Sequence, residues 1–145
     1  DAVLARAPDD DREGWHALVA RTRRAACLVL AGRHADAEPA VADAEARARA
    51  RLAAHPDDPP TRTAAADVDS IAAMFAVARN GPDTPPETML ARAREARDRL
   101  ERAAAGYAAL RAAGTVPADR AAEPDRIARQ LDLARRLVDA LEAPK

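Results

Sequence analysis

The chain holds one cysteine, Cys27, one serine, Ser70, and one lysine, Lys145. A single cysteine excludes an internal disulfide framework. Trp15, Phe75 and Tyr107 are the only aromatics in 145 residues, too few for the stacking platforms that bind single-stranded nucleic acid. Opposite charges nearly cancel, with a formal net charge of −1. The clustered basic excess of a nucleic-acid-binding surface is therefore missing. No apolar run approaches the ~20 residues that a membrane-spanning helix needs, and no secretory leader is visible. The expected setting is cytoplasmic, without membrane or nucleic-acid partners. Five scattered glycines form no phosphate-cradling loop. Ser70 lacks the Gly-flanked elbow that exposes a hydrolase nucleophile.

What is present is helix-forming. Ala supplies most of the 48% hydrophobic fraction and is the best helix former. It has little area to bury, whereas a Leu or Phe contributes ~1.5–3 kcal/mol, so the core is expected to be thin and its helices closely spaced. Nearly all cations are Arg, and the joint Arg and Ala bias points to a high-GC genome. Proline clusters and apolar periodicity predict about five antiparallel helices in one all-α domain, over residues 11–32, 35–54, 62–79, 86–113 and 124–141. Pro8 and its three aspartates should open the first helix, and Gly32 should close it. Pro39 should fall in the first turn of the second helix. In the fourth, Met89, Ala93, Ala96, Leu100, Ala103, Tyr107 and Leu110 form a seam alternating four and three apart, and Thr84 or Thr88 should cap its start. Val3 and Leu4 read as the end of an earlier helix. With no initial Met, this leads us to expect a piece of a longer protein or a processed N-terminus. Pro-Asp pairs at positions 8, 56, 82 and 124 each precede an expected helix, which is weak internal repetition.

The stretch Gly32-Arg33-His34-Ala35-Asp36-Ala37-Glu38-Pro39 resembles the turn and second helix of a tetratricopeptide repeat. It is most similar to the longer variant of kinesin light chains and bacterial signalling proteins. Gly32, Ala37, Val41 and Ala44 match that pattern, and His34 stands where Tyr is usual. Val68, Ile71, Ala72, Phe75 and Ala78 resemble a first repeat helix, with Ala96, Leu100 and Ala103 as its second. The resemblance implies a stack of helical hairpins, or failing that an up-down bundle. Its concave groove would hold a protein or peptide, with Val19, Thr22, Ala26 and Val29 at groove positions. These are small and apolar, so an apolar helix or strand fits better than an acidic peptide. Arg21 and Arg24 fall where the family buries large apolar residues, which makes them candidates for lining the groove.

Glu13-x-x-His16 has the spacing of carboxylate-bridged metal bundles, but no second copy exists, and neither His34 nor His55 has a ligand-spaced partner. No metal, cofactor or catalytic residue is assigned. Cys27, beside Leu28 and Val29, reads as a small buried apolar group. The expectation is a non-catalytic protein- or peptide-binding module within a larger bacterial signalling or regulatory protein. The alternative is a small-molecule sensor, with a pocket lined by Trp15, Met74, Phe75, Met89 and Tyr107. Partner identity and oligomeric state are open.

Overall fold

The computed structural model describes residues 2–143, and of residues 2–13 only the backbone. It is all-α: α1 Ala2–Leu30, α2 His34–Ala54, α3 Pro59–Ala78, α4 Pro86–Ala112 and α5 Glu123–Glu142, with one 3₁₀ turn at Ala118–Arg120 before α5. No strand occurs among the described residues.

Local chemistry sets most of the helix ends. α1 and α4 stop in the same way. Gly32 and Gly114 adopt φ of +68° and +66°, a region that only glycine enters without cost. Each then closes a Schellman pair: Arg33 N–H donates to the Leu28 carbonyl and Gly32 N–H to Val29, as Thr115 does to Leu110 and Gly114 to Arg111. α3 opens with Pro59 and Pro60, and the Asp58 carboxylate accepts the Thr61 N–H at 3.0 Å. Its far end is capped from a neighbour, since Arg92 donates to the Arg79 carbonyl at 2.9 Å.

Three expectations need correction. α1 does not begin after Pro8 but runs through it from Ala2, so Val3 and Leu4 belong to the same helix. Pro39 lies inside α2, beyond its first turn, because the helix starts at His34; the Ala35 carbonyl thereby loses its usual donor. Thr84 does not cap α4; its hydroxyl accepts the Gly81 N–H at 2.8 Å within the preceding turn.

α3 is the central element, with buried residues on opposite faces. On one side α1, α2 and α3 pack mutually, around Leu18, Ala44, Ala48 and Val68 towards one end and Val29, Val41, Ala72 and Phe75 towards the other. On the other side α4 packs on α3, and α5 packs on α4 but barely touches α3. That second core is an alanine seam of Ala66, Ala73, Ala76, Ala96 and Ala103, completed by Leu100, Tyr107, Leu110, Ile127 and Leu131. Buried α4 residues alternate three and four apart as the seam required: Ala93, Ala96, Leu100, Ala103, Tyr107 and Leu110.

Several polar groups inside find partners. Thr63 donates to the Pro59 carbonyl at 2.9 Å, and Ser70, buried in α3, reaches the Gln130 side-chain oxygen of α5 at 3.4 Å. An ion-pair chain ties α2, α3 and α4 together. Glu45 pairs with Arg99, Arg99 with Glu95 at 3.0 Å, Glu95 with Arg79 at 3.5 Å, and Arg79 lies 4.7 Å above the Phe75 ring. Glu95 and Arg99 pair across one helical turn. Asp98 and Arg102 share that spacing but do not pair with each other: Arg102 crosses to Asp69 of α3, and Asp98 binds Arg97.

Candidate functional site

Two cavities have a largely apolar lining. The first is a groove of about 380 Å³ between α3 and α5, floored by Ala96 and Leu100 of α4. It exists because α5 leans mainly on α4. Met74 and Val77 of α3 form one bank and Leu133 and Leu137 of α5 the other, and Gln130 is the only polar side chain in the lining. Leu133 is 64% exposed. It lies on the flank of α5, one helical step from the buried stripe of Ile127, Leu131, Ala134 and Val138. Large exposed apolar side chains that continue into a groove mark contact surfaces more than isolated ones do.

The second cavity, also about 380 Å³, lies between α1, the start of α3 and the segment 115–120. Trp15, Val19 and Arg23 line it from α1, four residues apart each, so they form one stripe. Pro59, Pro60, Thr63, Ala64 and Asp67 line it from α3, and Pro117, Asp119 and Arg120 close it. Asp67 is largely buried; one oxygen accepts the Tyr107 hydroxyl at 2.7 Å and the other lies 3.2 Å from Arg120. Burial pushes the Asp67 carboxyl above its usual range, against the opposing pull of Tyr107 and Arg120. Burial and the adjacent Asp67 likewise push the Tyr107 phenol up. The Trp15 indole N–H is buried without a hydrogen-bond partner among the described residues.

The residues named from sequence fall into several places. Of the expected groove set on α1, Thr22 and Val29 are buried: Thr22 donates to the Leu18 carbonyl, and Val29 packs against Ala37, Val41, Ala72 and Phe75. They form the α1–α2–α3 core rather than an open surface. Ala26 is half-buried, and Val19 belongs to the second cavity. Arg21 is exposed and pairs with Asp43 of α2 at 2.7 Å; Arg24 is exposed.

The expected pocket set is not one pocket. Trp15 lines the second cavity and Tyr107 supports it through Asp67, whereas Met74 lines the α3–α5 groove. Phe75 is buried under Arg79, and Met89 is half-buried in the first turn of α4.

Cys27 is exposed, not buried as its neighbours suggested. The inward residues Leu18, Thr22, Ala25 and Val29 define a face from which Cys27, two residues past Ala25, is turned by ~200°. The side chain of Glu13 lies outside the described residues, and His16 is exposed, its ring 4.9 Å from that of Trp15. Among the described residues no three His, Cys, Asp or Glu side chains are grouped to hold a metal ion, and no helix is long and apolar enough to cross a membrane.

Sequence reasoning missed Asp67, Arg120, Leu133 and Leu137. The two leucines were detectable, since they widen the apolar stripe of α5 at i and i+4. Asp67 and Arg120 carried no signal: their partners are remote in sequence, and Asp next to Val68 in an alternating stretch reads as a solvated position. No protein-family model, curated protein or solved structure matches the chain.

Proposed function

We propose that the protein is a non-catalytic interaction module that holds an apolar helix of a partner protein in the groove between α3 and α5. The observation that carries this reading is Leu133, 64% exposed on the rim of a groove with a single polar side chain. Covering a Leu fully is worth ~1.5–3 kcal/mol, so the exposed part of Leu133 offers about 1–2 kcal/mol to a helix laid beside it. The helix-in-groove mode uses anchors at i, i+3 and i+4, and Met74 with Val77 and Leu133 with Leu137 present ridges at those spacings.

The arrangement of α1, α2 and α3 also supports a degenerate tetratricopeptide-like stack. α3 packs on both members of the α1–α2 hairpin, as the first helix of a following hairpin does in a helical solenoid. We place such a module in a larger bacterial signalling or regulatory protein.

The test compares proteins captured from source lysate by the wild type and by Leu133→Asp. Stability is checked by circular dichroism, and Arg23→Gln serves as the control at the other cavity. The reading requires a protein retained by wild type and R23Q and lost with L133D. An identical set captured by all three would refute it, as would no capture by any.

A further inference from the structure

Given that the groove between α3 and α5 seats a partner helix, as proposed above, we infer that this helix belongs to a different protein, is acidic along one flank, and sets a carboxylate against Arg129 and Gln130 at the end of the groove nearer the start of α5.

The apolar lining sets the length of the guest. The α5 bank runs from Gln130 to Leu137, which is ~10 Å of helix. A partner can lay about two turns along it, enough for two or three apolar anchors at i, i+3 or i+4, and i+7. Ala73, Ala96 and Ala134 in the lining are small, which leaves depth for anchors as large as Leu or Phe.

The polar groups at one end are all donors. Gln130 lines the groove, and its side-chain oxygen accepts from Ser70 at 3.4 Å. Its amide nitrogen has no hydrogen-bond partner among the described residues and is not buried, so its N–H groups are accessible. Arg129, the preceding residue, is exposed and has no ion pair or hydrogen bond among the described residues. It stands one helical turn before Leu133, about 40° from it around the helix. Carboxylates on the adjoining turns are already engaged. Asp67 of α3 is held by Tyr107 and Arg120. On α5, Glu123 pairs with Arg126 and Asp132 with Arg136. An accessible amide and an unpaired guanidinium beside an apolar groove match a guest that supplies a carboxylate there.

The same face disfavours a second copy of this chain. Arg126, Arg129 and Arg136 are exposed and lie within about 60° of Leu133 around α5. No Asp or Glu of α5 falls in that arc. A two-fold pairing of this face sets arginines against arginines and offers Arg129 no counter-charge.

The test uses a display library of ~18-residue amphipathic helices, with apolar residues at the anchor positions and Asp, Glu, Lys, Arg, Gln or Ser varied along the flanks. It is selected in parallel on the wild type and on Leu133→Asp, and clones retained by both are discarded. The expected yield is a set of Leu133-dependent helices enriched in Asp or Glu on one flank. A fluorescein-labelled peptide of the leading clone is then titrated by fluorescence polarisation. Arg129→Glu should weaken it about 3- to 10-fold, as a reversed surface charge pair does, and replacing the flank acid by Lys should recover binding to that variant. Added salt should weaken the wild-type complex. Circular dichroism establishes that both variants fold, and sedimentation should find the wild-type chain monomeric. Leu133-dependent helices without acidic enrichment, or an acidic helix that binds R129E as tightly as the wild type, would overturn the acidic flank and leave the groove standing. No Leu133-dependent helix at all would remove the groove reading and this inference together. A wild-type dimer that L133D dissociates would overturn the assignment to a different protein.

Discussion

Replacing Tyr107 by Phe removes one oxygen from a fully buried ring and tests the polar junction between the two halves of the molecule. The hydroxyl donates to Asp67 at 2.7 Å, across the α3–α4 interface. The ring itself stays packed, so little apolar contact is lost. What goes is a hydrogen bond to a carboxylate, worth about 1.5–3 kcal/mol, leaving Asp67 with Arg120 as its partner. A loss of about 2 kcal/mol corresponds to a melting temperature roughly 6 °C lower for a domain of this size.

The pH dependence supplies the sharper test. Asp67 already has a raised pKa in the folded state. The folded protein therefore binds more protons than the unfolded chain above the usual carboxylate pKa of about 3.9. Stability from this group falls as pH rises from there through the raised pKa, then levels off. The Tyr107 hydroxyl favours the charged carboxylate, so removing it raises that pKa further. The Y107F deficit should thus be greater where Asp67 is ionised than where it is protonated, so it should shrink between pH 7 and pH 4.5, because a neutral acid loses a weaker bond. Urea unfolding followed at 222 nm at both pH values measures this. A deficit under about 0.5 kcal/mol, or one that does not change with pH, would refute the assignment of Tyr107 as the donor to a buried carboxylate.

Two further outcomes follow from packing and backbone geometry. Ile127→Ala should cost about 2–5 kcal/mol in chemical denaturation, since Ile127 is fully buried where α5 meets α4; a loss below about 1 kcal/mol would mean that α5 is not docked there. Gly32→Ala should cost about 1 kcal/mol, because φ is +68° and a Cβ is strained in that region; Gly81→Ala, with nothing within 4 Å and no positive φ, should be neutral or slightly stabilising, and equal effects of the two would contradict the Schellman closure.

Most of the fold was legible because helical periodicity and glycine stops act within a few residues. Gly32 ends α1 for a purely local reason, and the α4 seam follows from spacing alone. The misreadings have physical causes. Proline is a strong local breaker, so Pro8 read as a boundary, yet α1 continues through it. Cys27 read as buried because its sequence neighbours are apolar, although a helix sorts residues by angle rather than adjacency. The site was less legible. Tyr107 and Asp67 lie 40 residues apart, and no local pattern links them. Trp15 was marked by its size alone, and its position next to Asp67 and Arg120 depends on how α1 crosses α3.

The α3–α5 groove is a consequence of a shortage of large side chains. In the α1–α2–α3 triplet, Leu18, Val29, Val41 and Phe75 are long enough to span the space between three axes, and all three helix pairs close. In the α3–α4–α5 triplet the α3–α4 seam is mostly alanine, which draws those two helices together. α5 is then carried on α4 by Ile127 and Leu131 and meets α3 only lightly, as where Ser70 reaches Gln130. Leu133 and Leu137 are left facing a gap that no residue of α3 is large enough to fill. A sequence that placed Leu or Phe at Ala73 and Ala78 would close this gap from within. An alanine seam beside uncovered leucines therefore leaves room for an apolar side chain from outside the fold, which the proposed helix-in-groove reading requires.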